Sequence, residues 1–194
     1  MNAHLQPTGS AYFIAKETES VEKHTLSVLV DNEPGTLARV IGLFSGRGYN
    51  IDSLTVSETE HEKHLSRITI VTRGTPHVLE QIKHQLERIV PVHRVNDLTV
   101  IARELGQERP LERELALIKV RGTGDARVEA LRLAEAFHAT VIDANTEHFI
   151  FEITGRVSKI EQFIAIMGPL GLVEVCRTGV AAMNRGPQGM EASS

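Results

Sequence analysis

The spacing of hydrophobic and polar positions in the first half of the chain changes four times between the period of a strand and that of a helix. Residues 24–30 alternate, which predicts a half-buried β-strand. Residues 36–47 predict an amphipathic helix, because apolar side chains recur there at i, i+3, i+4 and i+7. These side chains are Leu37, Val40, Ile41 and Phe44. The remaining predicted elements are strands at 50–58 and 65–72, a helix that begins at Pro76 and a strand at 90–97. The order βαββαβ predicts an α+β fold with one antiparallel sheet and both helices on one face.

The same order of elements is predicted again in the second half. Predicted strands cover 114–120, 140–145, 148–154 and 172–177, and predicted helices cover 126–138 and 157–167. The chain is therefore predicted to contain two ferredoxin-like βαββαβ domains, at 23–98 and 113–186. Three other segments are predicted to connect or flank them: a flexible extension at 1–22, a linker with helical turns at 99–112, and a disordered tail at 187–194.

Composition narrows the classes of partner and compartment. The formal net charge is -4, with 21 basic against 25 acidic residues, which argues against nucleic acid or an anionic membrane as the main partner. A single cysteine excludes a disulfide framework and fits a reducing, cytoplasmic setting. No apolar run approaches the roughly 18 residues of a membrane-spanning helix. Residues 1–22 resemble neither a secretory signal nor a transit peptide.

The loop between the first strand and the first helix carries the clearest indication of a binding site. Asp31-Asn32-Glu33-Pro34-Gly35 leads directly into a helix N-terminus at Thr36. The unpaired backbone N–H groups and partial positive charge there suit a small carboxylate. Glycine at this position lets a ligand approach the backbone closely. Proline and glycine are also ordinary turn residues before a helix, so the loop alone does not distinguish a binding site from a turn.

Asn50 is a second indication, because it offers an amide donor and acceptor where the second strand begins. A catalytic pair is not recognisable beside it. Ser45, Ser53 and Ser57 have no partnering base that the sequence identifies. Asn50 and the loop before Thr36, with no catalytic pair beside them, therefore indicate a site that senses a small acid and does not transform it.

Other polar residues are interpreted as structural. His61 and His64 in HEKH are three residues apart, whereas the helical zinc motif needs four, so this segment is interpreted as a solvated turn between strands. Cys176 lies in an apolar strand pattern and is interpreted as a small core residue. Arg177 and Arg185 are interpreted as surface charges, with contact to a partner as the alternative.

Long segments of the chain resemble the regulatory (small) subunit of acetolactate synthase, also called acetohydroxyacid synthase. The longest is LSVLVDNEPGTLARVIGLFSGRGYNIDSLTV, at 26–56, followed by LSRITIVT and LEQIKHQLERIVPVHRV. Later segments that agree are RELALIKV, VIDA and VEVCRTGVAAMNRG. The similarity covers about residues 23–186 and leaves the N-terminal extension outside it.

This resemblance implies an ACT domain at 23–98, a related C-terminal domain, and a catalytic large subunit as partner. Thiamine diphosphate, magnesium and FAD are expected on that subunit and none of them on this chain. The resemblance also implies activation of the large subunit and feedback inhibition by a branched-chain amino acid, usually valine. The reaction concerned is the first committed step shared by valine, leucine and isoleucine synthesis.

In this family the effector lies between the two ACT domains of a homodimer. The resemblance assigns one half of the pocket to the first loop and helix of one chain, and the other half to the start of the second strand of its partner. The matching positions are Asn32, Gly35, Thr36 and Leu37 for the first half, and Asn50 and Ile51 for the second. Backbone N–H groups then meet the carboxylate, the amide oxygen meets the ammonium, and Leu37 and Ile51 supply an apolar wall.

Two other functions stay open from the sequence. A free-standing ACT sensor could regulate another enzyme or a transcription factor, and co-purification with a thiamine-dependent enzyme would separate the two cases. The chain could also be an enzyme itself, which an activity assay of the isolated chain decides. Pro34 stands where some members have serine. Because proline removes an N–H and stiffens the loop, the affinity and choice of effector stay open.

Overall fold

The computed structural model describes residues 20–60 and 64–190 and contains two antiparallel sheets, each packed against two helices. The first unit consists of β1 (Glu22–Asp31), α1 (Thr36–Arg47), β2 (Ser53–Glu60), β3 (Leu65–Gly74), α2 (Pro76–Glu87) and β4 (Val92–Asp97). Its strands lie in the order β2-β3-β1-β4.

A short helix, α3 (Leu98–Glu104), follows the first unit, and the second unit then repeats the arrangement. The elements of the second unit are β5 (Leu111–Arg121), α4 (Gly124–Ala136), β6 (Thr140–Ala144), β7 (His148–Gly155), α5 (Val157–Met167), β8 (Leu172–Arg177) and β9 (Ala181–Met183). The strands of the second sheet lie in the order β6-β7-β5-β8, and β9 pairs with the start of β5. The predicted α+β fold with two βαββαβ domains is confirmed.

The segment predicted as a linker contains regular structure. Helix α3 begins there because the Asp97 carboxylate accepts hydrogen bonds from the N–H groups of Thr99 and Val100, at 3.0 and 3.1 Å. Strand β5 then begins at Leu111, three residues before the predicted Glu114. The extra residues pair with β9, which the sequence did not predict.

Strand β1 is buried on both faces, although its alternating pattern predicts a half-buried strand. Leu26 and Val28 face the helices, as the pattern predicts. Thr25 and Ser27 point to the opposite face and are only 2% and 1% exposed. A cluster of Val71, Leu98, Val180 and Ala182 covers this face. The C-terminal unit therefore packs on the reverse side of the first sheet, and the two units share a core.

Strand β2 is an edge strand of the first sheet. It begins at Ser53 and not at the predicted Asn50. Residues 50–52 form a bend held by β3 instead, since the Asp52 N–H donates to the Val71 carbonyl at 2.8 Å. Val56 on β2 is an apolar side chain that is 42% exposed, and Leu37 on α1 is 38% exposed.

Candidate functional site

The start of α1 has no side-chain cap, although the Thr36 N–H donates to the Glu33 carbonyl at 3.3 Å. Gly35 is the N-cap residue, with φ 89°, and no side chain caps the helix. Its position in the left-handed region, together with its exposure, explains why glycine is suitable here. The preceding loop is tied to the sheet through the Asn32 N–H, which donates to the His64 carbonyl at 2.7 Å. An uncapped first turn on a fixed loop is suited to a small carboxylate.

The four predicted residues of this region form what we call the loop half-site: Asn32, Gly35, Thr36 and Leu37. Thr36 is buried beneath the loop, whereas Asn32 and Gly35 are exposed. Leu37 belongs to the apolar stripe predicted for α1, but it is 38% exposed. The buried residues of α1 are Thr36, Val40 and Phe44, so the helix is rotated relative to the predicted stripe and Leu37 faces partly outward.

Asn50 and Ile51 form the second group, which we call the strand half-site. They follow the C-terminal end of α1, whose 12 residues separate them from Gly35. At 1.5 Å per residue this helix is about 18 Å long. One chain therefore does not bring the two half-sites together. A pocket made from both half-sites needs two chains.

The strand half-site is supported by groups that the sequence analysis missed. The Asn50 side-chain Nδ2 donates to Asp52 Oδ1 at 2.6 Å, and Arg73 Nε donates to Asp52 Oδ2 at 2.6 Å. The Thr72 hydroxyl, on a residue that is 0% exposed, donates to the Asn50 carbonyl at 2.6 Å. The i, i+2 spacing of Asn50 and Asp52 was visible in the sequence. The hydrogen bonds from Thr72 and Arg73 on β3, which is about 20 residues away, could not be predicted from it.

Two clefts lie where the two units meet, and the sequence analysis predicted neither. One, of about 370 Å³, is lined by residues of α3, β5 and the start of α5, including Arg103, Arg113 and Arg156. The other, of about 470 Å³, reaches Asp52 and Arg73 from the side of the C-terminal unit. The support of the strand half-site thus borders the junction between the units.

The C-terminal unit contacts β2 directly at this junction. The Val180 N–H donates to Ser53 Oγ at 2.9 Å. Gly179 has φ +83°, and a Cβ added there would lie 2.8 Å from Thr55 Oγ1. The strand that follows Asn50 and Ile51 is therefore packed against the segment that follows β8. This contact gives a physical connection between the strand half-site and the second unit.

Two interpretations of residues in β8 are corrected by the structure. Arg177 is not a free surface charge: it donates to both carboxylate oxygens of Glu114, at 2.8 and 2.6 Å. This hydrogen bonding raises the pKa of the Arg177 guanidinium, against the opposing effect of burial. Cys176 is exposed and is not a core residue. It pairs with Leu117, so it lies on the face of the second sheet opposite the helix-facing Ile118.

The described residues offer neither a metal centre nor a membrane-spanning helix. Within 20–60 and 64–190, no group of three or more His, Cys, Asp or Glu side chains is arranged to hold a metal ion. His64 directly precedes β3 and has φ 51°, while His61 lies outside the described residues. No helix of the described part of the chain is long and apolar enough to cross a membrane.

Comparison with known proteins identifies the family. Residues 26–94 match the model of the acetohydroxyacid synthase small subunit-like ACT domain, and residues 113–186 match that of the small subunit of acetolactate synthase. A probable acetolactate synthase small subunit of Archaeoglobus fulgidus is 44% identical over 84% of this chain and 98% of its own. The chain belongs to the acetolactate synthase small-subunit family.

Further members of the family agree over the same extent. The small subunit of acetolactate synthase isozyme 3 from Escherichia coli is 44% identical over 84% of this chain and 96% of its own. The crystal structure of the Thermotoga maritima acetolactate synthase small subunit superposes with a TM-score of 0.76 at 40% identity, over 86% of this chain and 99% of that one. The family name associates the chain with a catalytic large subunit and with branched-chain amino-acid biosynthesis.

Proposed function

We propose that this chain is a non-catalytic regulatory subunit that binds a branched-chain amino acid, with valine as the first candidate, between two ACT domains. The observation that carries the proposal is the uncapped, exposed start of α1 at Gly35, in a chain of this family. Backbone N–H groups at this start suit the carboxylate of an amino acid. Leu37, 38% exposed beside it, offers an apolar surface for the side chain of the effector.

The ammonium group is assigned to the strand half-site of the partner chain. Asn50 is exposed and has an amide oxygen that can accept from an ammonium. Ile51 is half-buried next to it and completes the apolar wall. Pairing of the exposed β2 edges across a two-fold axis would bring each strand half-site toward the loop half-site of the other chain. The proposed assembly is therefore a homodimer with two equivalent effector pockets.

The catalytic partner is proposed to be the acetolactate synthase large subunit, in the cytoplasm. The regulatory chain would activate this subunit, and the bound effector would reverse the activation. Thiamine diphosphate, magnesium and FAD are assigned to the large subunit and none of them to this chain.

The test is reconstitution of the holoenzyme. The purified chain is added to its acetolactate synthase large subunit, and activity is measured while valine, leucine and isoleucine are titrated separately. We expect activation by the chain alone and inhibition by at least one of the three amino acids. Activation without inhibition by any of them would contradict the effector assignment, and absence of activation would contradict the regulatory role.

A further inference from the structure

The side-chain amide of Asn50 has a defined orientation because of its neighbour. Asp52 Oδ1 lies 2.6 Å from one end of this amide. An ionised carboxylate has only acceptor atoms, so the amide end that faces it must be the NH₂ group. The reverse orientation would place two acceptor oxygens at the same short distance. The carbonyl oxygen Oδ1 of Asn50 is therefore the end left for a ligand.

Asp52 is itself held in place. Arg73 Nε donates to its second oxygen at 2.6 Å, and the Asp52 N–H donates to the Val71 carbonyl at 2.8 Å. The Asp52 side chain is 17% exposed, against 58% for Arg73. The guanidinium also balances the Asp52 charge, so the carboxylate acts chiefly through its hydrogen bond to Asn50. Thr72, which precedes Arg73 on β3, holds the Asn50 backbone through a hydrogen bond to its carbonyl.

We propose that Asp52 and Arg73 are positioning residues that make the pocket select a ligand with an amine at its α-carbon, by presenting only an acceptor from Asn50. The inference rests on the proposed function, because it assigns Asn50 to the effector. A 2-amino acid donates from its ammonium to this acceptor. A 2-oxo acid of the same size has only an oxygen there, which would face the Asn50 oxygen without a proton between them. The selected class is therefore amino acids, against the oxo acids that share their carbon skeleton.

The test compares two ligands on the full-length chain by calorimetry: L-valine and 3-methyl-2-oxobutanoate, which differ only at the α-carbon. In Asp52→Asn the new side-chain amide can either donate or accept a hydrogen bond. It therefore no longer forces the NH₂ group of Asn50 to face it. We expect this variant to lose roughly tenfold in valine affinity, as for one hydrogen bond. The oxo acid should bind no worse, so the ratio of the two affinities falls at least tenfold.

Two further variants separate positioning from general damage. Arg73→Met leaves Asp52 in place and removes only its anchor, so the ratio should fall in the same direction by a smaller factor. Asp125→Asn, an exposed change of the same chemistry on α4, should leave the ratio unchanged. The Asn50 side-chain amide resonance, assigned by its absence in Asn50→Ala, should move in Asp52→Asn and stay in Asp125→Asn.

The outcomes distinguish this inference from the function beneath it. Valine binding with an unchanged affinity ratio in both Asp52→Asn and Arg73→Met overturns the positioning role and leaves the proposed function intact. Equal weakening of both ligands also overturns it, because that is the result of a merely structural residue. Failure of the unsubstituted chain to bind valine, leucine or isoleucine, alone or with the large subunit, overturns the proposed function and this inference with it.

Discussion

Gly35 and Asn50 lie beyond opposite ends of helix α1 in the same chain, so about 18 Å of helix separates the two residues assigned to one ligand. A free amino acid is far shorter than this. The separation therefore requires that each proposed pocket takes Gly35 from one chain and Asn50 from the other.

A mixed dimer tests this requirement. When one chain carries Gly35→Asp and the other Asn50→Ala, both defects fall in one pocket and the second pocket stays intact. A hydrogen bond to a charged group contributes about 1.5–3 kcal/mol, so Asn50→Ala alone should lose roughly one to two decades of affinity. Calorimetry should show that mixed dimers regain half of the high-affinity sites. A single-chain site must replace the proposal when mixing restores no binding.

Gly35→Asp should abolish the response to valine while the fold persists. Gly35 has φ +89°, and a Cβ added there would meet no atom within 4 Å, so the cost to folding is confined to backbone strain of about 1–3 kcal/mol. The new carboxylate repels the carboxylate of the ligand. The measurement is valine inhibition of the reconstituted holoenzyme.

Gly42→Asp is the matched control for this substitution. Gly42 lies on α1, is exposed, and also has open space around a Cβ, but it lacks the positive φ. Its valine response should be normal. Unaltered inhibition in Gly35→Asp, with normal assembly, would remove Gly35 from the site.

The isolated chain should dimerise through β2. Val56→Glu should shift it toward monomers, because Val56 is 42% exposed on this edge strand and a charge there would be buried by pairing. Ile142→Glu is the control, since Ile142 is 49% exposed on β6, the corresponding edge of the second sheet. Sedimentation at micromolar concentration, with and without valine, measures the result. Monomers in the unsubstituted chain, or equal effects of the two substitutions, would refute the β2 interface.

Gly179→Ala should destabilise the junction between the two units. The added Cβ would lie 2.8 Å from Thr55 Oγ1 and 2.9 Å from Ser53 Oγ, in addition to the strain of φ +83°. Gly106→Ala isolates the strain, because Gly106 has φ +68° with nothing within 4 Å. Urea unfolding should show a larger loss for Gly179→Ala, by about 1 kcal/mol or more beyond the control. Equal losses would mean that the contact with β2 does not contribute.

Stability should depend on pH through His24. Burial lowers the pKa of His24, but the hydrogen bond and charge of Asp97, 2.6 Å away, together with a hydrogen bond to Glu22, outweigh it and leave the pKa raised. A raised folded-state pKa means that the stabilisation is fully present below the unfolded value of about 6.5 and is lost as pH rises through the folded value. The free energy of unfolding should therefore fall over this range in the unsubstituted chain and less in His24→Asn. His84→Asn, an exposed histidine on α2, should behave like the unsubstituted chain.

Local patterns predicted most of the elements because their causes lie within a few residues. Helices α1 and α5 have the predicted bounds, since their apolar spacing and the turn residues that flank them are local signals. The sequence indicated the loop at Gly35 as a candidate binding site for the same reason. Positive φ and an open helix start are properties of a short segment.

Errors arose where distant residues decide the outcome. Strand β1 was predicted to be half-buried, yet Ser27 on its second face is 1% exposed because the segment after β8 covers it. Arg177 was assigned to the surface, yet Glu114, 63 residues earlier, holds it with two hydrogen bonds. Leu37 faces partly outward because the packing of Thr36, Val40 and Phe44 sets the rotation of α1.

The sequence by itself determined the two βαββαβ repeats, the family, and the Gly35 loop and Asn50 amide that the proposed pocket uses. These follow from periodicity and short motifs. Only the tertiary structure decided that Gly35 and Asn50 lie at opposite ends of α1, that Asp52 and Arg73 orient the Asn50 amide, and that the second unit packs on β2. Such relationships depend on pairing and packing between residues far apart in the chain, and no local pattern records them.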